Sequence, residues 1–149
     1  MYKGKTVCIV VPAYNEERQI GRVLETMPEY VDKVVVVDDK STDKTVEVVR
    51  GYARKFKDKI VLIQHRKNEG PGGAIASGYE WARDNNFDIT AVMAGDAQMD
   101  PQELPLFLDV ISSGEVDYAK GNRLFTGRAW EIFPKARYLG SAVLSLLTK

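Results

Sequence analysis

The chain has 149 residues, enough for one domain with its own core and too few for two comfortable ones. Its 21 acidic and 21 basic residues cancel, which excludes a general electrostatic nucleic-acid binder, and the ordinary apolar and charged fractions exclude a disordered chain. One cysteine and one histidine exclude a disulfide framework and a zinc site built from those ligands, and favour a reducing compartment.

In chain order, Lys5 to Pro12 (KTVCIVVP) predicts a buried strand stopped by Pro12, because proline cannot donate a ladder bond. The apolar run Val7 to Val11 is too short for a signal-peptide core, and no segment approaches the ~20 apolar residues of a membrane span. From Glu16 to Met27, Ile20, Val23, Leu24 and Met27 recur at helical spacing, and Pro28 ends the pattern. Asp32 to Asp39 carries four consecutive valines, which suits a strand buried on both faces. Asp43 to Lys57 predicts a second helix and Lys59 to His65 a third strand. Gly73 to Asn85 predicts a third helix and DITAVMAG a fourth strand. Pro101 to Ser112 predicts a fourth helix and VDYAKG a fifth strand.

Strands alternating with helices point to an α/β domain with a mainly parallel central sheet flanked by helices, and the absence of repeats or linkers to a single domain. Ligands of such sheets bind outside the carboxyl ends of the strands. Four polar segments fall there: PAYNEE, DDKSTDKT, HRKNEGPGG and AGDAQMD.

In PAYNEE, Asn15 suits a helix cap with Glu16 and Glu17 in the first turn, while Tyr14 has a ring that could stack on a base. In DDKSTDKT, Ser41, Thr42 or Asp43 suits a cap. Asp38 and Asp39 stand as adjacent carboxylates at the mouth of an apolar sheet, where one is placed to accept from a ribose or a base N–H. NEGPGGAIASG fails both named phosphate patterns: Ile75 stands where a dinucleotide site needs glycine, and Tyr79 and Glu80 stand where a P-loop needs Lys and Ser/Thr. It reads as a plain turn and cap, or as a helix entry whose N–H groups approach a ligand.

In AGDAQMD, an extended strand end would turn Asp96, Gln98 and Asp100 to one side. Oxygen-only ligands suit Mg²⁺ or Mn²⁺, which use one or two carboxylates together with substrate phosphates. Asp100 reads better as the cap before Pro101, leaving Asp96 and Gln98 for the metal. His65 reads as a strand-end surface residue, and Trp81 and Trp130 as packing residues.

The segments CIVVPAYNEE, VVVVDDKSTDKT, NEGPGGAIASGY, AGDAQMDP and YAKGNR resemble, in order and spacing, the family 2 glycosyltransferases of GT-A fold. The dolichyl- or polyprenyl-phosphate mannosyl/glucosyltransferase branch is the most similar. The resemblance implies a Rossmann-like GT-A nucleotide-sugar-binding fold and an inverting hexose transfer from GDP-mannose or a UDP-sugar to a lipid phosphate. It also implies that Pro12, Tyr14, Glu16 and Asp39 line the nucleoside pocket with Asp38 beside them, and that Asn68 and Gly70 belong to a nucleotide-side loop. Asp96 and Gln98 would serve the metal and the diphosphate. Arg123 and Arg137 match basic residues that bind donor or acceptor phosphates, so that Asp96, Arg123 and Arg137 form the expected catalytic set.

Two departures accompany it. Ala94 stands where the family commonly has the first Asp of Asp-x-Asp, and the family's catalytic region normally continues past residue 149, so the expectation is one GT-A-like domain, 1–149, truncated at its C-terminus. The alternative reading is a non-catalytic nucleotide-sugar-binding fragment. A nucleotidyltransferase is disfavoured, because no Gly-rich and Lys/Arg signature for a triphosphate follows the first strand. The expected location is the cytoplasm or the cytoplasmic membrane face, with the apolar run YLGSAVLSLLTK the one hint of peripheral membrane association.

Overall fold

The computed structural model describes residues 1–121, of which Met1–Asp117 forms one compact unit. Four strands, β1 (Val7–Ala13), β2 (Lys33–Asp38), β3 (Ile60–Gln64) and β4 (Ile89–Val92), form a sheet in the order β3-β2-β1-β4, with every pair parallel. The helices are α1 (Ile20–Glu25), α2 (Thr45–Lys55), α3 (Gly70–Asp84) and α4 (Leu104–Ser112), the last preceded by a 3-10 turn at Pro101–Glu103. The chain steps outward from β1 to β3 and then returns to place β4 on β1's other side. The switch point therefore lies between β1 and β4.

The valine-rich strands are buried on both faces because each face has its own helical cover. Val7, Ile9 and Val11 of β1 with Val34 and Val36 of β2 join a core that includes Ile20 and Leu24 of α1, Val49 of α2, and Leu104 and Leu108 of α4. Cys8, Val10, Val35 and Val37 face the opposite way, toward Ala74 and Ala82 of α3. Burial pushes the Cys8 thiol up to about 12, so this cysteine serves as a small apolar core residue. Among the described residues no helix is long and apolar enough to cross a membrane.

Three expectations need correction. First, Pro12 does not stop β1; it pairs with Val37 inside the strand. Val10 O accepts Met93 N, and Ala13 O accepts Asp39 N, so even-numbered residues of β1 turn their polar groups toward β4 and odd-numbered ones toward β2. The β4 ladder ends at the Val10–Val92 pair, so the missing N–H of Pro12 faces the side where no strand remains.

Second, α1 starts at Ile20 and not at Glu16. Asn15 sits at φ 57°, and Glu16 O accepts from both Gln19 N and Ile20 N, which winds residues 16–19 into a tighter turn. Third, VDYAKG forms no strand within the described residues: Val116 and Tyr118 are exposed and gain no ladder partner there. Elsewhere the predicted elements stand with ends moved by at most three residues, as terminal turns commonly do.

Gly78 sets the approach of α3 to the sheet. A Cβ there would lie 2.2 Å from Val10 Cγ1 and 2.8 Å from Val10 Cγ2, and Val10 is fully buried. Gly78→Ala gains roughly 1 kcal/mol of helix propensity but forces an overpacked contact worth about 1–3 kcal/mol or more. Urea denaturation should show net destabilisation, and adding Val10→Ala should cost less than the sum of the single changes. A Gly78→Ala protein as stable as the parent would contradict this packing.

Candidate nucleotide site at the carboxyl ends of the strands

The loops after β1 and β2 are stapled into one wall. Asn15 N donates to Ser41 Oγ (2.9 Å), and Asn15 Oδ1 accepts Thr42 N (2.8 Å). Glu16 N donates to Thr45 Oγ1 (2.8 Å), Glu17 N to Asp43 Oδ2 (3.1 Å), and Lys44 N to Glu17 Oε2 (3.0 Å). Asn15 is thus a cross-loop staple and not a helix cap. Asp43 also binds the entry of α2, its Oδ1 accepting Thr45 N at 2.9 Å, although the cap position itself is Lys44, whose side chain makes no cap bond. Burial works to raise the Asp43 pKa, but these hydrogen bonds outweigh it and hold the carboxyl below the usual range. Tyr14 stands half exposed on this wall.

The two adjacent aspartates differ sharply. Asp39 is buried and committed: its Oδ1 accepts both His65 Nδ1 (2.8 Å) and Glu69 N (2.8 Å). Burial pushes its pKa up, yet the Glu69 N–H, His65 and the Gly70 N–H together hold it below the usual carboxylate value. The Asp38 carboxylate, on a residue 2% exposed, accepts only a long bond from Ser41 N (3.3 Å) through Oδ2, and its Oδ1 has no partner. A buried carboxylate oxygen left open at a strand's end is a ready acceptor for a ligand donor.

His65 is the residue that sequence reasoning missed. Its side chain is 9% exposed and lies between Asp39 and Ser77, so it is no surface residue. The signal was available: Asp38 pairs with Gln64, so parallel register sets Asp39 beside His65. Asn68 Nδ2 donates to Asp39 O (3.1 Å) and its Oδ1 accepts Gly70 N (3.2 Å), which brings the predicted Asn68 and Gly70 to the same corner.

Beyond β4 the expected metal loop is folded differently from the alternating strand end predicted for it. Ala97 takes φ 57°, which breaks the extended run, and Asp96 Oδ1 accepts Gln98 N (3.1 Å). Asp96, Gln98 and Asp100 therefore do not project from one extended face. Asp100 accepts Gln102 N (2.9 Å) and caps the following turn, as the Asp-Pro sequence predicts. Buried Gly95 lets this loop press on the end of β1: a Cβ there would lie 3.1 Å from Pro12 O and 3.5 Å from Glu16 Cγ. Between this loop, the Pro101 turn and α1 lies a cleft of about 400 Å³ lined by Arg22, Thr26, Met93, Gln98, Met99 and Gln102. It meets the expected site residues only at Gln98; Asp38 and Asp39 do not line it.

Asp96 comes near Glu16, whose pKa is raised first by burial and then by the charges of Asp96 and Asp43. Among the described residues no group of three or more His, Cys, Asp or Glu could hold a metal by itself. An uncompensated acidic pair fits a hard cation that takes its remaining ligands from a bound diphosphate. Arg123, Arg137 and Trp130 lie outside the described residues.

A raised folded-state pKa makes ionised Glu16 a liability that disappears as pH falls through that pKa. Glu16→Gln should therefore melt above the parent at pH 7.5, with the gap closing toward pH 4.5. A constant gap, or a lower melting temperature at pH 7.5, would contradict the repulsion.

The family described as Glycosyl transferase family 2 matches residues 8–144. A UDP-N-acetylglucosamine–dolichyl-phosphate N-acetylglucosaminyltransferase of Methanococcus voltae is 26% identical over 97% of this chain and 62% of its own length. An undecaprenyl-phosphate mannosyltransferase of Micrococcus luteus is 30% identical over 94% of this chain and 57% of its own length. The chain thus spans about three-fifths of these relatives. Among solved structures, a mannosyltransferase of Pyrobaculum calidifontis in complex with GDP-Man and Mn²⁺ superposes with TM-score 0.57. It is 28% identical, over 66% of this chain and 30% of that one. The sheet and its helical layers are those of the GT-A fold, and the chain belongs to glycosyl transferase family 2.

Proposed function

We propose that the chain carries the donor site of an inverting glycosyltransferase that moves a hexose from a nucleoside-diphosphate sugar to a polyprenyl or dolichyl phosphate. The observation that carries the reading is that one edge of the parallel sheet, at the strands' carboxyl ends, carries both an open buried acceptor, Asp38 Oδ1 after β2, and the neighbouring acids Glu16 and Asp96 after β1 and β4. The names of the relatives supply the class of donor and acceptor.

In this reading Asp38 Oδ1 accepts from the base or ribose, and the Tyr14 ring stacks on the base from the exposed wall. Pro12, Glu16 and Asp39 shape the pocket floor, and Asn68 and Gly70 form its far lip. Asp96 and Gln98 would be the residues to hold Mg²⁺ or Mn²⁺, with further ligands supplied by the diphosphate. Bound there, the ion supplies Lewis-acid stabilisation of the charge on the departing nucleoside diphosphate. The acceptor phosphate oxygen attacks the anomeric carbon as the bond to the diphosphate breaks. An acceptor already anionic near neutral pH needs no general base. Arg123 and Arg137 would orient the phosphates by charge-assisted hydrogen bonds. A lipid acceptor places the work at a membrane surface, with the cytoplasmic face as the expected side.

A second reading, nucleotide-sugar binding without turnover, is favoured by Ala94, which offers no side-chain oxygen where the family commonly has one. Transfer from a radiolabelled donor to a lipid phosphate separates the two: labelled glycolipid supports catalysis, and donor binding without product supports the second. For the metal, Asp96→Ala should weaken GDP or UDP binding by roughly tenfold or more with Mn²⁺ present while changing metal-free binding little. An equal loss without metal would remove Asp96 from that role.

A further inference from the structure

We propose that His65 is a positioning residue of the donor site, locking the Asp39 carboxylate and through it the strap of residues 65–70 that carries Asn68 and Gly70. The inference rests on the nucleotide-site reading and adds to it a residue that touches no ligand.

The bonding pattern dictates the arrangement. Asp39 Oδ1 takes Glu69 N–H, and Asp39 O takes Asn68 Nδ2, so one residue anchors the strap at both its side chain and its backbone. His65 N donates to Asp38 O (2.9 Å), which carries the β2–β3 pairing one step past the last ladder pair. The His65 ring then closes the corner. A carboxylate only accepts, so Nδ1 must carry the proton toward Asp39. In the neutral ring Nε2 is then an acceptor, and Ser77 Oγ, 3.0 Å away on the second turn of α3, donates to it. The Asp39–His65–Ser77 chain thus ties the end of β2 to the end of β3 and to α3, whose first residue is Gly70.

Ser77 sits within a helix, so its hydroxyl serves as the ring's outer tether and is not displayed as a nucleophile. Without the Nδ1 donor, the Asp39 carboxylate would keep the Glu69 N–H but lose the contact that fixes its rotamer. The strap would then gain freedom at the lip of the site. Charge-assisted hydrogen bonds of this kind orient groups more strictly than neutral ones.

Two substitutions split the ring's functions. Asn places an amide N–H near the position of Nδ1, and Gln places one near the position of Nε2. With Mn²⁺ present, GDP and UDP binding by calorimetry should stay within about threefold of the parent for His65→Asn. It should fall about tenfold or more for His65→Gln, the change that losing one charged hydrogen bond carries. In ligand-free protein, amide exchange at Glu69 should quicken in His65→Gln and stay near the parent rate in His65→Asn. Equal losses in the two variants, or parent-like binding by His65→Gln, would overturn the positioning role while leaving the nucleotide reading intact. A parent protein that binds neither nucleotide would overturn both.

A measurement that needs no variant covers the case in which His65→Gln fails to fold. The chain has one histidine, so ¹⁵N imidazole spectra report on His65 alone. They should show the Nδ1–H tautomer in the neutral ring, and an Nε2–H tautomer would overturn the proposal.

Discussion

The central strand β1 runs about three residues further than its neighbour β4, and the site depends on that difference. Pairing with β4 ends at Val10, while pairing with β2 continues to Ala13. The overhang is a strand end bonded on one side only. Pro12 is tolerated there because its missing N–H faces the unpaired side, and Gly95 fills that side by pressing the post-β4 loop against Pro12 O. On the paired side, Ala13 O takes Asp39 N and brings the end of β2 level with the end of β1. Three loops thereby meet at one corner with their backbones held. A functional constellation gains precision when rigid elements hold it in this way.

That corner is electrostatically incomplete. Asp38 keeps a buried oxygen without a donor, and Glu16 titrates upward under burial and the charge of Asp96. Each feature disfavours the ligand-free fold; an orphaned buried acceptor alone costs on the order of 1–3 kcal/mol. The neighbouring groups show that the chain can satisfy its carboxylates when nothing else is asked of them. Asp39 and Asp43 sit within a few residues, the first buried and the second partly so, and each collects enough donors to lie below its usual pKa. The contrast distinguishes acids whose hydrogen bonds hold the loops, Asp39 and Asp43, from Asp38 with its open oxygen and Glu16 with its like-charged neighbours, and it is these two that the proposed donor site would satisfy.

Much of this was legible in the sequence, and the failures have definite causes. Four valines in a row between turn signals announced a doubly covered strand, and Asp100 before Pro101 announced a capped turn; both stand. Asp38, Asp39, Asn68, Gly70 and Asp96 were recognisable as strand-end residues because a parallel sheet sends every such end to one edge. The alternation argument for Asp96, Gln98 and Asp100 failed because one residue, Ala97, adopts a left-handed φ, which no period-two pattern announces. Asn15 fits a cap by local rules, but its partners, Ser41 and Thr42, lie 26 and 27 residues away, beyond the reach of such rules. The same limit hides the role of His65. A lone histidine at a strand end carries no local signal, and only the β2–β3 register reveals Asp39 beside it.

The central claim is that the loop carrying Asp96, lying against the end of β1, holds a divalent cation together with a nucleoside diphosphate. Paramagnetic broadening tests it directly. Substoichiometric Mn²⁺ added to ¹⁵N-labelled protein with GDP or UDP should extinguish the amides of Asp96, Ala97 and Gln98 first and that of Glu16 soon after. Amides at the opposite ends of the strands, such as Val7 and Lys33, should remain sharp. Broadening that begins elsewhere, or that is indifferent to the nucleotide, would contradict the account.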